Sequence, residues 1–416
     1  MSKKVVVVGG GIAGLGAAAE LLRQECHVIL LETKERLGGR IHTISIGPFP
    51  IELGAEFLHG ESAPLQTVIN AAGLANSKIS LRNEVFENGK LHRRDVWGKM
   101  SKIMRRIDPR GRDCSMEEFL AHDQATVETH RTISSFVNGF HAARMDLVSA
   151  HSLLRAEYAA EHMHGGNQSR LDAGYSALID FLAADIRAHG GKICTDTQVR
   201  NINWQPGNVL IECQQGNETS IFEADAVIIT VSLGVLKAGM ITFYPPLTSK
   251  QEPIDQLQFG NVVKISLLFK AKWWPHFEFI QAPDERMPTW WTDPRGHILT
   301  GWAGGPQADA LLGHPAAERE AVALEILATI FQKQADQVRE NFMTSCSHDW
   351  THDPDIRGAY SYIPVHGLDL PKKLAEPIEQ TLFFAGEATV SDAQTGLVSE
   401  AYETGLRAAR ELIKTD

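Results

Sequence analysis

The sequence predicts an α/β fold, a Rossmann-type nucleotide-binding domain with a G-x-G-x-x-G turn, joined to a discontinuous α+β domain. Two stretches carry this. The run Val5-Val6-Val7-Val8 is apolar and β-branched, stops at Gly9-Gly10-Gly11, and is followed by an alanine-rich run with helical composition. A second apolar run, Val28 to Leu31, ends at Glu32, the spacing at which a carboxylate meets a ribose hydroxyl. Gly9 permits the turn, Gly11 lets the backbone approach a pyrophosphate, and Gly14 lets helix and strand pack closely. The helix start at Ile12 and Ala13 offers N–H donors to negative charge. An adenine dinucleotide is the predicted ligand, and the turn alone does not separate NAD from FAD.

With 416 residues, 43% of them hydrophobic, the chain exceeds the size at which one core usually divides, so two domains are expected. A net charge of −11 and an isoelectric point near 5.9 disfavour nucleic acid and favour attraction of a cationic substrate, although solubility alone accounts for such a charge. The basic run from Lys90 to Arg112 reads as a solvated helix face. Five cysteines without a C-x-x-C spacing argue against a disulfide framework and against zinc, and no metal site is expected. The first strand starts at residue 4 or 5, leaving no room for a signal peptide, and no apolar run reaches membrane-spanning length. A soluble cytoplasmic protein of open oligomeric state is the expectation.

Taken in order, the remaining elements begin with Arg36-Leu37-Gly38-Gly39-Arg40, where paired glycines let the backbone approach a ligand while a guanidinium reaches phosphate oxygens. Leu53-Gly54-Ala55-Glu56 and His59 follow. Residues 61 to about 170 carry helical patterns. Short alternating strands surround Pro206-Gly207-Asn208, and Ala226 to Val231 is an apolar strand suited to a buried parallel sheet. Val262-Val263-Lys264-Ile265-Ser266-Leu267-Leu268 sets one lysine in an apolar strand, so it needs a partner, a role or an escape to solvent. Alternation puts Lys264 on one face with Val262, Ser266 and Leu268. Trp350 and Tyr360 read as ordinary core aromatics on composition. Leu382 to Thr389 is a short strand, and a last helix opens at Thr395-Gly396-Leu397-Val398.

Several of these segments resemble the FAD-dependent amine oxidase superfamily, which holds polyamine oxidases, monoamine oxidases, L-amino acid oxidases and flavin-type histone lysine demethylases. The matches are R-x-G-G-R, L-G-A, Gly174-Tyr175-x-x-Leu178, Leu233-Gly234-Val235-Leu236, Gly260-Asn261-x-x-Lys264, Trp350 with Asp353-Pro354, Tyr360-Ser361-Tyr362, and Gly386-Glu387-x-Thr389. The resemblance implies FAD held by Gly9, Gly11, Ile12, Ala13, Gly14, Glu32, Lys34, Gly39, Arg40, Leu53, Gly54, Ala55, Glu56, Val199, Trp350, Gly386, Glu387 and Val398. It makes Lys264 the catalytic residue, holding a water near flavin N5, and gives His59, Glu56, Trp350 and Tyr360 to the substrate. Ala359 stands where monoamine oxidases carry the flavin-tethering cysteine, which implies non-covalent FAD. The FAD-binding domain is expected over 1–75, 175–238 and 358–416, and the substrate-binding domain over 76–174 and 239–357.

The implied reaction is oxidation of a C–N bond by hydride transfer to the flavin, with O2 as acceptor. Hydrogen peroxide forms, and the imine hydrolyses to aldehyde and amine. A polyamine is the expected substrate, its distal cations attracted by an acidic mouth formed by Glu56, Glu157 and Glu161, with His59 beside it. Alternatives are an FAD-dependent dehydrogenase or desaturase, an L-amino acid oxidase, and a flavin protein without turnover.

Overall fold

A computed structural model describes residues 2–80, 83–391 and 395–414. Its first unit is a five-stranded parallel sheet in the order Lys192–Cys194, His27–Leu31, Lys4–Val8, Ala226–Ile229, Leu382–Phe384. The strands are short, apolar runs because both faces are covered. Val5 and Val7 pack toward the helix Ile12–Arg23, whereas Val6 and Val8 pack toward an antiparallel meander on the opposite face. That meander comprises Gln198–Gln205, Asn208–Gln215 and Glu218–Ala224. Thr242–Tyr244 joins it in parallel, so this sheet continues past the domain boundary drawn at residue 238.

Helix Ile12–Arg23 lies against the last helix, Val398–Ile413, at backbone distance. A Cβ on Gly405 would stand 2.1 Å from the Ala13 carbonyl oxygen, and one on Gly16 would meet the Tyr402 ring at 2.8 Å. Alanines Ala17, Ala18, Ala408 and Ala409 fill the rest of the contact and are fully buried. This crossing brings Val398, at the start of the last helix, beside the glycine turn.

The second large sheet has seven strands, ordered Phe342–Cys346, Val262–Phe269, Ile298–Gly304, Thr289–Asp293, Phe279–Gln281, Asn83–Glu87, Lys90–Arg93. All its pairs are antiparallel except Phe279–Gln281 with Asn83–Glu87. Every residue of Val262–Phe269 is buried. Val263, Ile265 and Leu267 enter a core with Leu324, Ile326 and Leu327 of the helix Ala316–Ile330. The opposite face carries Val262, Lys264, Ser266 and Leu268, as alternation requires. Among the described residues, no helix is long and apolar enough to cross a membrane.

Gly405→Ala tests the helix crossing. Alanine is the better helix former by about 1 kcal/mol, yet its Cβ would meet backbone that cannot give way, so overpacking wins. A net loss of about 1–3 kcal/mol in denaturant unfolding is expected. A raised unfolding midpoint would contradict this packing.

Candidate functional site

A cavity of about 310 Å³ lies between the two large sheets. Its nucleotide side is built by the turn after the first strand. Gly9, Gly11, Ile12 and Ala13 line it, and Gly9 has φ +108°, a conformation that favours glycine. A Cβ added to Gly11 would meet nothing within 4 Å, so this glycine faces open space. The helix beginning at Ile12 has no side-chain cap, which leaves first-turn N–H groups free for an anion. Gly14 lies outside the cavity wall: its Cβ would stand 2.0 Å from the Gly9 carbonyl oxygen, so it acts by packing.

Glu32 closes the second strand and lines the cavity. Its carboxylate accepts the Gly10 N–H at 2.7 Å and the Lys34 N–H at 2.9 Å, while burial pushes its pKa up. Lone pairs remain for a ribose hydroxyl. The Lys34 side chain, expected at the cofactor, is not on the cavity wall: Asp353 at 2.8 Å and Asp355 at 3.1 Å hold its ammonium. Val199 lines the cavity at a bulge in the meander, where a strand backbone is left open to a ligand.

Gly39 and Arg40 form the next section of wall. Arg40 donates to the Ala359 carbonyl at 2.6 Å and pairs with Glu387 at 2.9 Å. Glu387 also accepts from the N–H and hydroxyl of Ser361, at 3.1 and 2.7 Å. Glu387 thus orients Arg40, and it lines the cavity itself with one Oε1 lone pair left for a ligand. Gly386 beside it has φ +125° and lines the cavity, as do Leu397 and Val398.

Leu53, Gly54 and Ala55 run along the same wall. Gly54 is glycine for a steric reason, since the Arg40 carbonyl oxygen sits 1.9 Å from where its Cβ would be. Trp350 donates its indole N–H to the Leu53 carbonyl at 3.0 Å and meets the His348 ring at a tilt of 54°, and Tyr360 donates to the Phe140 carbonyl at 2.5 Å. Both rings line the cavity.

At the far side Lys264 is only 3% exposed and does not escape to solvent. Its ammonium lies 2.7 Å from Glu56 and donates to the Gly54 carbonyl at 3.0 Å. The second Glu56 oxygen accepts from Arg170 at 2.7 Å and from the Trp291 indole at 2.9 Å. Burial alone would raise this carboxylate, but the two cations prevail and hold it down at about 2. Phe57, Trp97, Phe140, Phe279, Trp291 and Trp302 complete an aromatic wall, with Gln168 and Thr289 as its polar members.

The acidic mouth expected from Glu56, Glu157 and Glu161 does not assemble on the cavity wall. Glu56 is neutralised by Lys264 and Arg170, and neither Glu157 nor Glu161 lines the cavity. Glu161 instead pairs with Arg105 on the surface. His59 does line the cavity, but burial lowers its pKa to about 4, so it is neutral at pH 7. Arg170 and Trp291 were not foreseen: each is one polar or aromatic residue in a strand, without a motif to single it out.

One cavity is thus walled by a strand-turn-helix with an open glycine, by the carboxylate after the second strand, and by aromatic rings beside a buried ammonium. The family model for flavin-containing amine oxidoreductases matches residues 12–123 and 104–413, and the chain belongs to that family. It is 31% identical to polyamine oxidase 2 of Arabidopsis thaliana, over 99% of this chain and 88% of that protein. It is 30% identical to lysine-specific histone demethylase 1 homolog 2 of the same plant, over 98% of this chain and 58% of that protein. Among solved structures, putrescine oxidase bound to putrescine superposes with a TM-score of 0.84 at 20% identity, covering 100% of this chain and 99% of that one. Cyclohexylamine oxidase from Brevibacterium oxydans IH-35A gives the same TM-score, 0.84, also at 20% identity, again covering 100% of this chain and 99% of that one. The protein is an amine oxidase with an α/β fold.

The Glu56 cluster makes stability depend on acid in a stated direction. The folded-state pKa of Glu56 is lowered from 4.5 to about 2, so its stabilisation is present above pH 4.5 and fades as pH falls toward 2. Glu56→Gln should cost about 3 kcal/mol in urea unfolding at pH 7, because it leaves two buried cations without their anion. That gap should narrow between pH 4 and pH 2. An equal gap at pH 7 and pH 3 would contradict the assignment.

Proposed function

We propose that this amine oxidase holds FAD non-covalently and oxidises a polyamine, with O2 as the electron acceptor. The observation that carries the reading is a single cavity joining the glycine turn and Glu32 to Lys264 and the aromatic wall. The donor set fits FAD. Gly11 and the uncapped helix start suit the pyrophosphate, Glu32 the ribose, and Arg40, steadied by Glu387, further phosphate or sugar oxygens. None of the five cysteines lines the cavity and Ala359 does, which supports a cofactor without a covalent tether.

FAD bound there would supply a hydride acceptor for the amine α C–H and a route for the two electrons to O2, with hydrogen peroxide and a hydrolysable imine as products. The protein's part is orientation, exclusion of water and placement of charge. Trp350, Tyr360 and Trp291 wall the chamber and keep it dry, which strengthens every charge inside it. Lys264, paired with Glu56 on the cavity wall, would hold a water beside the bound cofactor.

The polyamine reading rests on the relatives, since the carboxylate that faces the aromatic chamber, Glu56, is already paired with Lys264 and Arg170. The aromatic faces take a distal ammonium instead, each cation–π contact being worth about 0.5–2 kcal/mol. An amino acid substrate is less well served: Arg40 is the arginine on the wall among the described residues, and Glu387 already pairs with it.

Peroxide release measured across spermine, spermidine, their acetylated forms, benzylamine and leucine checks the reading. A polyamine should turn over fastest, with binding that changes little with salt because aromatic faces rather than exposed carboxylates hold its cations. Faster turnover of benzylamine or leucine than of every polyamine would overturn it.

A further inference from the structure

Lys264 presents three N–H bonds, and the protein takes two of them. One goes to Glu56 at 2.7 Å and one to the Gly54 carbonyl at 3.0 Å. The residue lines the cavity, so the third is left for whatever lies there. Glu56 is itself immobilised. Its other oxygen receives the Arg170 guanidinium and the Trp291 indole, and Arg170 in turn sits over the Phe57 ring at 4.7 Å and donates to the Thr292 carbonyl. Lys264 also lies 5.7 Å from the centre of the Trp291 ring.

We propose that Glu56 is a positioning residue for Lys264: clamped by Arg170 and Trp291, it pins the ammonium against the Gly54 carbonyl and directs the remaining N–H into the cavity. This rests on Lys264 acting at the flavin. A lysine on a four-carbon stem has many rotamers, and a single carbonyl would not select one of them. A fixed carboxylate does, through a charge-assisted bond in a dry site. It also sets the local charge. Lys264 and Arg170 against Glu56 leave a net of one positive charge beside the chamber, whereas two unbalanced cations would repel each other and favour loss of the lysine proton.

The other ionisable groups in reach are Glu52 and Arg295. Glu52 is buried under Tyr175 and Thr43, which donate to it at 2.7 and 2.8 Å, and burial pushes its pKa up to about 7. It interacts with both Lys264 and Glu56, while Arg295 is committed to Asp293 at 2.6 Å. Neither touches the ammonium, so Glu56 is its direct anionic partner.

The test follows the lysine itself as well as turnover. In protein labelled with 15N at the lysine side chains, the Lys264 ammonium signal is identified by its loss in Lys264→Met, then followed with pH in the flavin-loaded wild type and in Glu56→Gln. The signal should vanish at least about one pH unit lower in Glu56→Gln, the tenfold equivalent of about 1.4 kcal/mol. Flavin reoxidation in stopped flow should slow at least about tenfold in Glu56→Gln at pH 9 and much less at pH 6. Adding Lys264→Met should bring no further loss. If Glu56→Gln does not retain its fold, Glu56→Asp keeps the anion but shortens its reach, and reoxidation should fall without the new pH dependence. An unchanged lysine signal together with wild-type reoxidation in either variant overturns the positioning role alone. Wild-type half-reactions in Lys264→Met overturn the role of Lys264, and this proposal with it.

Discussion

A buried carboxylate with three donors on it holds the reacting side of this molecule together. Glu56 joins four separate pieces of chain: its own segment after Gly54, the strand carrying Arg170, the strand carrying Trp291, and the strand carrying Lys264. None of these pieces would place its polar group in an apolar chamber alone, because an unpaired buried charge costs several kcal/mol. Paired, they are mutually dependent. The aromatic wall follows from the same bond set, since Trp291 is oriented by its indole contact and Phe57 lies beneath the Arg170 guanidinium.

The nucleotide side depends on a different constraint, the exclusion of Cβ atoms. Gly9, Gly14 and Gly54 each sit where a neighbouring carbonyl or hydroxyl occupies the space of a side chain, and Gly11 sits where nothing does. The first three let backbone pack on backbone. The fourth leaves room for a ligand. Together with the Gly405 contact on Ala13, they bring two helix starts and the R-x-G-G-R loop to one cavity wall.

Local chemistry was legible in the chain, and long-range pairing was not. The valine run, the glycine turn and Glu32 lie within a few dozen residues, and spacing alone specified their geometry. Lys264 was ambiguous by residue type, a snorkelling edge lysine or a buried one, and burial at 3% decides it. Its pairing with Glu56 was out of reach of any pattern, and so were the other bonds to that carboxylate: Arg170 and Trp291 lie 114 and 235 positions from Glu56. The same limit misdirected the reading of charge. An overall net of −11 says nothing about the cavity, where Glu56 is neutralised and Glu387 pairs with Arg40, nor about Lys34 behind its wall, which Asp353 and Asp355 hold.

The proposed reaction requires amine and O2 to meet the same cofactor in this one cavity, in sequence. Anaerobic mixing of the flavin-loaded protein with spermine or spermidine, followed by admission of air, tests it most directly. The amine alone should bleach the visible flavin absorbance, and air should restore it fully with one peroxide released per flavin. Bleaching that persists in air would contradict an oxidase and point to another electron acceptor, and no bleaching with any amine would contradict the assignment of the chamber.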